Sequence, residues 1–295
     1  MSELILIAGA NGRTGRAILR ALQSSGRSAR ALIRDPAQWP NLHLLGAAEF
    51  AVGDMLDGES VRRAMNGCDT VILIGPPMEP AEVSNAERFI AAGRACGITK
   101  FVYYSVMHPL LRSIRHHRLK LDVEQLIVES GLPYVIVQPA RYMQHLEPMW
   151  RAVSETGVHA MPFSASVLFN VVDLRDVAAA TSMLTLSSAF DYGTFELAGP
   201  EALSQAAMAK IISDVTGRPV IAQALALDQL AARARTAGAS DDRIEQMLAM
   251  NRHYDQHGFR GNPTVLEWIL GRPLTTYRAY VQRLNAFLLR PKEKP

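Results

Sequence analysis

Cysteine is scarce: 295 residues contain two, Cys68 and Cys96, far apart in the chain. Isolated thiols build neither a disulfide framework nor a spaced zinc set, so a reducing compartment and no resident metal are expected. An excess of one charge is missing as well. Lys and Arg number 31 against 28 Asp and Glu, a formal net charge of +3, and no dense basic block precedes the tail RPKEKP. A basic stripe that tracks a phosphate backbone is not expected, nor is a nucleic-acid partner. No apolar run approaches the ~20 residues of a membrane span. The first strand pattern opens almost at Met1, with no charged and apolar leader before it. A cytoplasmic protein without membrane contact is expected. Internal repeats and low-complexity linkers are absent too. What remains is a chain 48% hydrophobic and 20% charged, the balance of a globular protein long enough for one large domain or two.

The most informative stretch comes first. Glu3 to Ala8 (ELILIA) has the length and apolarity of a strand, and a helical pattern runs from Arg16 to Ser24. Between them lie Gly9, Ala10, Asn11, Gly12, Arg13, Thr14 and Gly15. The N–H groups that open a helix lack internal partners and carry partial positive charge, so a pyrophosphate can sit there if no side chain intervenes. Gly9 would make the turn, Gly12 would admit phosphate, and Gly15 would let helix and strand pack. The spacing is GxxGxxG rather than the commoner GxGxxG.

Ser28 to Ile33 reads as a second strand that ends at Arg34-Asp35-Pro36. An adenosine ribose is expected about 20 residues past such a loop; arginine there suits the extra phosphate of NADP, an acid the hydroxyls of NAD. With Arg34 first and Arg13 in the loop, NADP(H) is preferred and NAD(H) possible. Ala47 to Val52 is a third strand, followed by Asp54, placed to meet adenine, and Asp57, a cap for the helix at 59–65. Thr70 to Ile74, Lys100 to Tyr104 and Pro133 to Val137 complete the strand series, with helices at 81–96 and 115–131 between them. They deliver the small-residue turn Gly75-Pro76-Pro77, then Ser105, then Pro139 to one carboxyl edge, where ligands of open α/β sheets bind. Strands alternating with helices in this way predict a Rossmann-type, doubly wound parallel sheet. Beyond Tyr142 the rhythm breaks: 143–156 reads as helical, 158–169 as irregular, and the back third as mostly helical without a sheet of its own. The expected division is a dinucleotide-binding domain at 1–141, to which 171–190 returns, and a smaller, mostly helical substrate or lid region at 142–170 and 191–295.

These residues resemble the NmrA-like group of atypical short-chain dehydrogenases/reductases over nearly the whole chain. The resemblance rests on IAGANGRTGR, LIRDP, VGDMLD (which holds Asp54 and Met55), FVYYSV, HHRLKLDVEQLIVESGLPYVIVQPARYM, VVDLRDVA and HGFRGNPTVLEWILGRPLTTYRAYV. It implies a dinucleotide-binding domain with a small C-terminal substrate domain, usually with NADP(H). It also implies either a reductase of quinones or other small carbonyl-type substrates or a redox sensor without turnover. The wider superfamily uses a Ser…Tyr-x-x-x-Lys set. Ser105 matches the serine and Lys120 the lysine, but the tyrosine position holds His116. The lysine would hydrogen-bond the nicotinamide ribose. A histidine titrates near neutral pH and would serve as proton donor, with His117, about 100° round the helix, as its alternative. Tyr104 and Tyr142 are further candidates.

The function expected is NADPH-dependent reduction of a small hydrophobic or aromatic carbonyl, quinone or activated double bond; the alternative is a non-catalytic NAD(P)(H)-sensing regulator. Gly75, Pro76, Pro77 and Pro139 would border the nicotinamide. Tyr142, Met143, Met149, Trp150 and Phe163, with Met161 and Trp268, would form an apolar substrate pocket. A monomer or homodimer with a small-molecule partner is expected.

Overall fold

The computed structural model describes residues 4–288; Glu3 and the RPKEKP tail lie outside them. The chain divides into two compact units, one of Met1–Pro139, Leu174–Glu196 and Trp268–Gly271, the other of Ala140–Asp173, Leu197–Glu267 and Arg272–Pro295.

The first unit runs β1 (Leu4–Ala8), α1 (Arg13–Ser24), β2 (Ser28–Ile33), α2 (Trp39–His43), β3 (Ala47–Val52), α3 (Gly58–Met65), β4 (Thr70–Leu73), α4 (Glu82–Cys96), β5 (Lys100–Tyr104), α5 (Arg115–Val128) and β6 (Tyr134–Pro139). The strand order is β3-β2-β1-β4-β5-β6, and each of these neighbours pairs in parallel. Every residue of β4 and of β5 is buried, as strands covered by helices on both faces require. Leu6, Val71, Phe89, Phe101, Val123 and Ile127 are among the side chains that fill one such layer. The order reverses between β1 and β4, which makes their carboxyl ends the switch point of the sheet.

Two local differences from the sequence pattern have simple causes. Helix α1 begins three residues early because Gly12 takes the cap position and its carbonyl accepts from Arg16 N–H (3.0 Å). The short α2 is set up by a 3-10 turn at Pro36–Gln38, which the Asp35 carboxylate caps by accepting from Ala37 N–H (2.9 Å).

The remaining elements are β7 (Arg141–Tyr142), α6 (Trp150–Thr156), β8 (Val158–Met161), β9 (Leu168–Val172), α7 (Leu174–Leu186), β10 (Gly193–Leu197), β11 (Ala202–Ser204), α8 (Gln205–Thr216), β12 (Ile221–Ala224), α9 (Leu227–Thr236), α10 (Asp241–His257), α11 (Thr264–Leu270) and α12 (Tyr277–Leu288). Strand β10 lies beside β6 as the seventh strand of the large sheet. The expectation of an irregular 158–169 and of no sheet in the back third is corrected: β11-β9-β7 form one small sheet and β12-β8 another. These strands are two to five residues long, too short for a period of two to stand out. Their partners are distant, as in Ile221 opposite Val158. Among the described residues no helix is long and apolar enough to cross a membrane.

Candidate functional site

The glycine loop spans the switch point. Gly9 has φ +82°, and a Cβ on it would stand 2.5 Å from the Ile74 carbonyl oxygen. A Cβ on Gly15 would stand 2.3 Å from Gly9 O and 2.6 Å from Ala10 Cα. The turn thus fixes Gly9, and the close seat of α1 on the end of β1 fixes Gly15. Gly12 is exposed at the cap and needs its bareness less; the atom nearest its missing Cβ is Gly9 O, at 3.2 Å. Arg16 braces the loop, donating to Asn11 O (3.0 Å) and Asn11 Oδ1 (2.6 Å). The result is a cradle at a helix N-terminus that fits a pyrophosphate.

Around the cradle, Arg13 and Arg34 are exposed and Thr14 is half-buried. Asp54 is engaged within its own turn, accepting from Leu56 N–H (2.9 Å), and Met55 is half-buried. Pro76 and Pro77 are exposed, whereas Pro139 is buried with its carbonyl accepting from Met107 N–H.

At the ends of β5 and β6 the structure gathers a buried polar cluster. The Lys120 ammonium lies 2.7 Å from Glu82 Oε1, donates to Tyr104 O (2.9 Å), and stands 4.9 Å from the Tyr103 ring centroid. The Tyr103 hydroxyl donates to the same Glu82 oxygen (2.8 Å). Glu82 Oε2 is buried without a hydrogen-bond partner, pressed on Gly75, where a Cβ would meet it at 2.6 Å. Glu82 escaped the sequence reading; in sequence it is simply an acid in the first turn of a helix. Beside this pair the Ser105 hydroxyl donates to Glu124, and Gln138 Nε2 donates to both Glu124 oxygens (2.9 and 3.0 Å). Burial raises the Glu124 pKa, opposed by those two hydrogen bonds and by the Lys120 charge.

The histidines behave differently from expectation. Burial, with the charge of Lys120 and then His117 adding to it, pushes His116 down to about 3. At neutral pH its imidazole is uncharged and has no imidazolium proton to give. His117 is fully buried, with Nδ1 2.9 Å from the His108 carbonyl. The Tyr104 hydroxyl is paired with Thr181.

The sequence matches the NmrA-like family over residues 1–285. The chain belongs to that family. An NAD(P)H azoreductase of Xenophilus azovorans is 26% identical over 280 residues, which cover 95% of this chain and 97% of the azoreductase. Among solved structures, an NADPH-dependent quinone oxidoreductase of Escherichia coli complexed with NADPH is similar at a TM-score of 0.83 and 22% identity, covering 95% of this chain and 99% of that one. A triphenylmethane reductase of Citrobacter sp. complexed with NADP(H) is similar at 0.82 and 21%, with the same coverage. These two likenesses establish a shared fold.

In the second unit of this NmrA-like protein, Met143, Trp150 and Phe163 are buried, and Phe163 stacks on Phe169 with ring centroids 4.3 Å apart. Tyr142 and Met149 are half-buried. Met161 is buried, and Trp268, placed by sequence in the same pocket, is exposed and belongs to the first unit.

Proposed function

We propose that this NmrA-like protein is an NADPH-dependent oxidoreductase that reduces small hydrophobic or aromatic quinones, carbonyls or activated double bonds, azo bonds included. The observation that carries the reading is the close seat of Gly15 on Gly9 and Ala10, which brings the opening turn of α1 to the carboxyl end of β1 with Gly12 at its cap. Family membership supports it, as do the relatives named as an azoreductase and a quinone oxidoreductase. The choice of NADPH follows from Arg13 and Arg34, both exposed, and from Asp35, whose carboxylate is committed to its own turn. Asn11, Thr14, Asp54 and Met55 are assigned to the adenosine and pyrophosphate side, and Gly75, Pro76, Pro77 and Pro139 to the nicotinamide side.

When bound, the nicotinamide supplies hydride. Lys120, held by Glu82, supplies fixed positive charge beside Ser105. We assign the proton that completes the reduction to the Ser105 hydroxyl rather than to His116 or His117. Glu124, which accepts from Ser105 and through both oxygens from Gln138, orients the hydroxyl; as Ser105 gives its proton to the substrate, water returns one to the Oγ. Tyr142 and Met149, the half-buried members of the expected pocket, are assigned to substrate contact, with Met143, Trp150 and Phe163 as their packed support.

Calorimetry with NADPH and NADH, then NADPH absorbance against a panel of quinones, azo dyes and aromatic ketones, tests this. Binding of NADPH with turnover of at least one class is expected. Failure of both coenzymes to bind would overturn the cradle. Tight binding with no turnover on the whole panel would overturn the enzyme in favour of a sensor.

A further inference from the structure

Arg141, in β7, has no carboxylate partner among the described residues. Its guanidinium carbon lies 5.8 Å from the centroid of the Phe163 ring. Tyr254 of α10 and Tyr277 of α12 are the groups that interact with its charge favourably, and both are buried. The acids on adjoining segments are committed: Glu201 accepts from Tyr277 N–H (3.0 Å) and Asp255 from Ser164 N–H (2.6 Å). A second polar group nearby is also unpaired. His159 of β8 is 3% exposed, its Nδ1 has no partner, and burial together with the Arg141 charge pushes it down to about 4. It is therefore neutral at physiological pH and leaves Arg141 as the cation of the cluster.

Arg141 is half-buried, and a guanidinium taken out of water without a counter-ion is costly, so folded proteins ordinarily pair it. Its fork of N–H donors matches the oxygens of carboxylate, sulfonate or phosphate two at a time. Phe163, Tyr254 and Tyr277, all buried, wall the guanidinium with aromatic rings. We propose that Arg141 is the seat of an anionic group carried by an aromatic substrate, with the Tyr277 hydroxyl as a second donor and Phe163 beneath the guanidinium. This deepens the reductase reading and rests on it for the word substrate: the favoured compounds are acidic quinones or dyes rather than neutral ones. A phosphate of the dinucleotide is the other source of the same chemistry, and the arms of the experiment separate the two.

The test compares a naphthoquinone sulfonate with the neutral naphthoquinone, by calorimetry and by steady-state kinetics, in wild type, Arg141→Gln, Arg141→Lys and Tyr277→Phe. Circular dichroism checks the fold of each. Arg141→Gln is expected to weaken the sulfonate about 30-fold, in Kd and in KM rather than kcat, from the usual worth of a charge-assisted hydrogen bond. The neutral quinone is expected to stay within about twofold and NADPH affinity unchanged. Arg141→Lys recovers part of the loss, and Tyr277→Phe loses a smaller part. If Arg141→Gln does not fold, the lysine and phenylalanine variants carry the same comparison. Equal losses for both quinones, a loss of NADPH affinity instead, or no change at all would each overturn the anion seat. Wild type that reduces the neutral quinone but does not bind the sulfonate overturns the anion seat alone. Wild type that binds the sulfonate in an Arg141-dependent manner yet oxidises no NADPH overturns the reductase reading and leaves the seat.

Discussion

Breaking the Lys120–Glu82 pair should be costly from either side and much cheaper from both. The two charged atoms are 2.7 Å apart, with both side chains about 5% exposed or less. At an effective dielectric constant near 20 their attraction is about 6 kcal/mol, and each ion has lost several kcal/mol of hydration. The pair as a whole is therefore close to neutral for stability, while an orphaned member is not. Lys120→Met leaves a buried carboxylate with the Tyr103 hydroxyl as its donor and Oε2 already unpaired. Glu82→Gln leaves a buried ammonium held by the Tyr104 carbonyl. Each single change is expected to cost about 3–5 kcal/mol, and the double variant less than either single change, because it leaves no orphaned charge. Urea unfolding of all four proteins, followed by circular dichroism, measures the cycle. Additivity to within about 0.5 kcal/mol would mean that the two charges do not share a dry site, and the account of how Lys120 is positioned would fail with it.

Other consequences are quicker to check. Gly15→Ala puts a carbon 2.3 Å from Gly9 O. A loss of about 1–3 kcal/mol by overpacking and of at least about tenfold in NADPH affinity is expected by unfolding and calorimetry; unchanged affinity refutes the cradle. His116 is held near 3 when folded, below its unfolded value, so the unfolded chain binds the extra proton and this group's contribution falls as pH drops from about 6.5 towards 3. His116→Gln should accordingly gain stability relative to wild type as melting is moved from pH 8 to pH 5, and a constant difference would contradict the shift. Phe163→Ala should cost about 3–5 kcal/mol as a core truncation. Met149→Ala should cost under about 1 kcal/mol while raising KM, and the reverse ranking would show the pocket assignment to be inverted. Glu124→Gln keeps the volume but replaces the acceptor that orients Ser105, so kcat is expected to fall by at least about tenfold with NADPH affinity kept. A variant that keeps the wild-type rate would remove Glu124 from the reaction.

Strands β1 to β6 of the large sheet could be read from sequence because each is a short, predominantly apolar segment closed by a turn. Pro36 ends the segment after β2, Gly53 follows β3, and Gly75 follows β4. The loop could be read because glycines at 9, 12 and 15 are tied to a strand before and a helix after, all within twelve residues of Leu4. The small sheets of the second unit could not. Arg141–Tyr142 is a strand only because Val171 and Val172 lie beside it, and a two-residue segment has no period. Nor could the role of Asp35 be read: its carboxylate accepts from Ala37 N–H, a turn contact that the segment Arg34-Asp35-Pro36 does not announce.

A sequence motif supplies residue types, but the ionic state of those residues belongs to the fold. Lys120 stands where the superfamily places its lysine, yet its charge is balanced by Glu82, 38 residues away, on a helix that packs beside α5 for reasons of apolar burial. His116 stands where a proton donor is expected, yet the lysine one turn on and the surrounding burial strip its proton. The same lysine that would depress a tyrosine into a useful acid range leaves a histidine at that position without a proton to give at neutral pH. With the lysine kept and the tyrosine exchanged for histidine, the proposed proton supply therefore falls to Ser105, whose hydroxyl is held by Glu124 and, through Glu124, by Gln138.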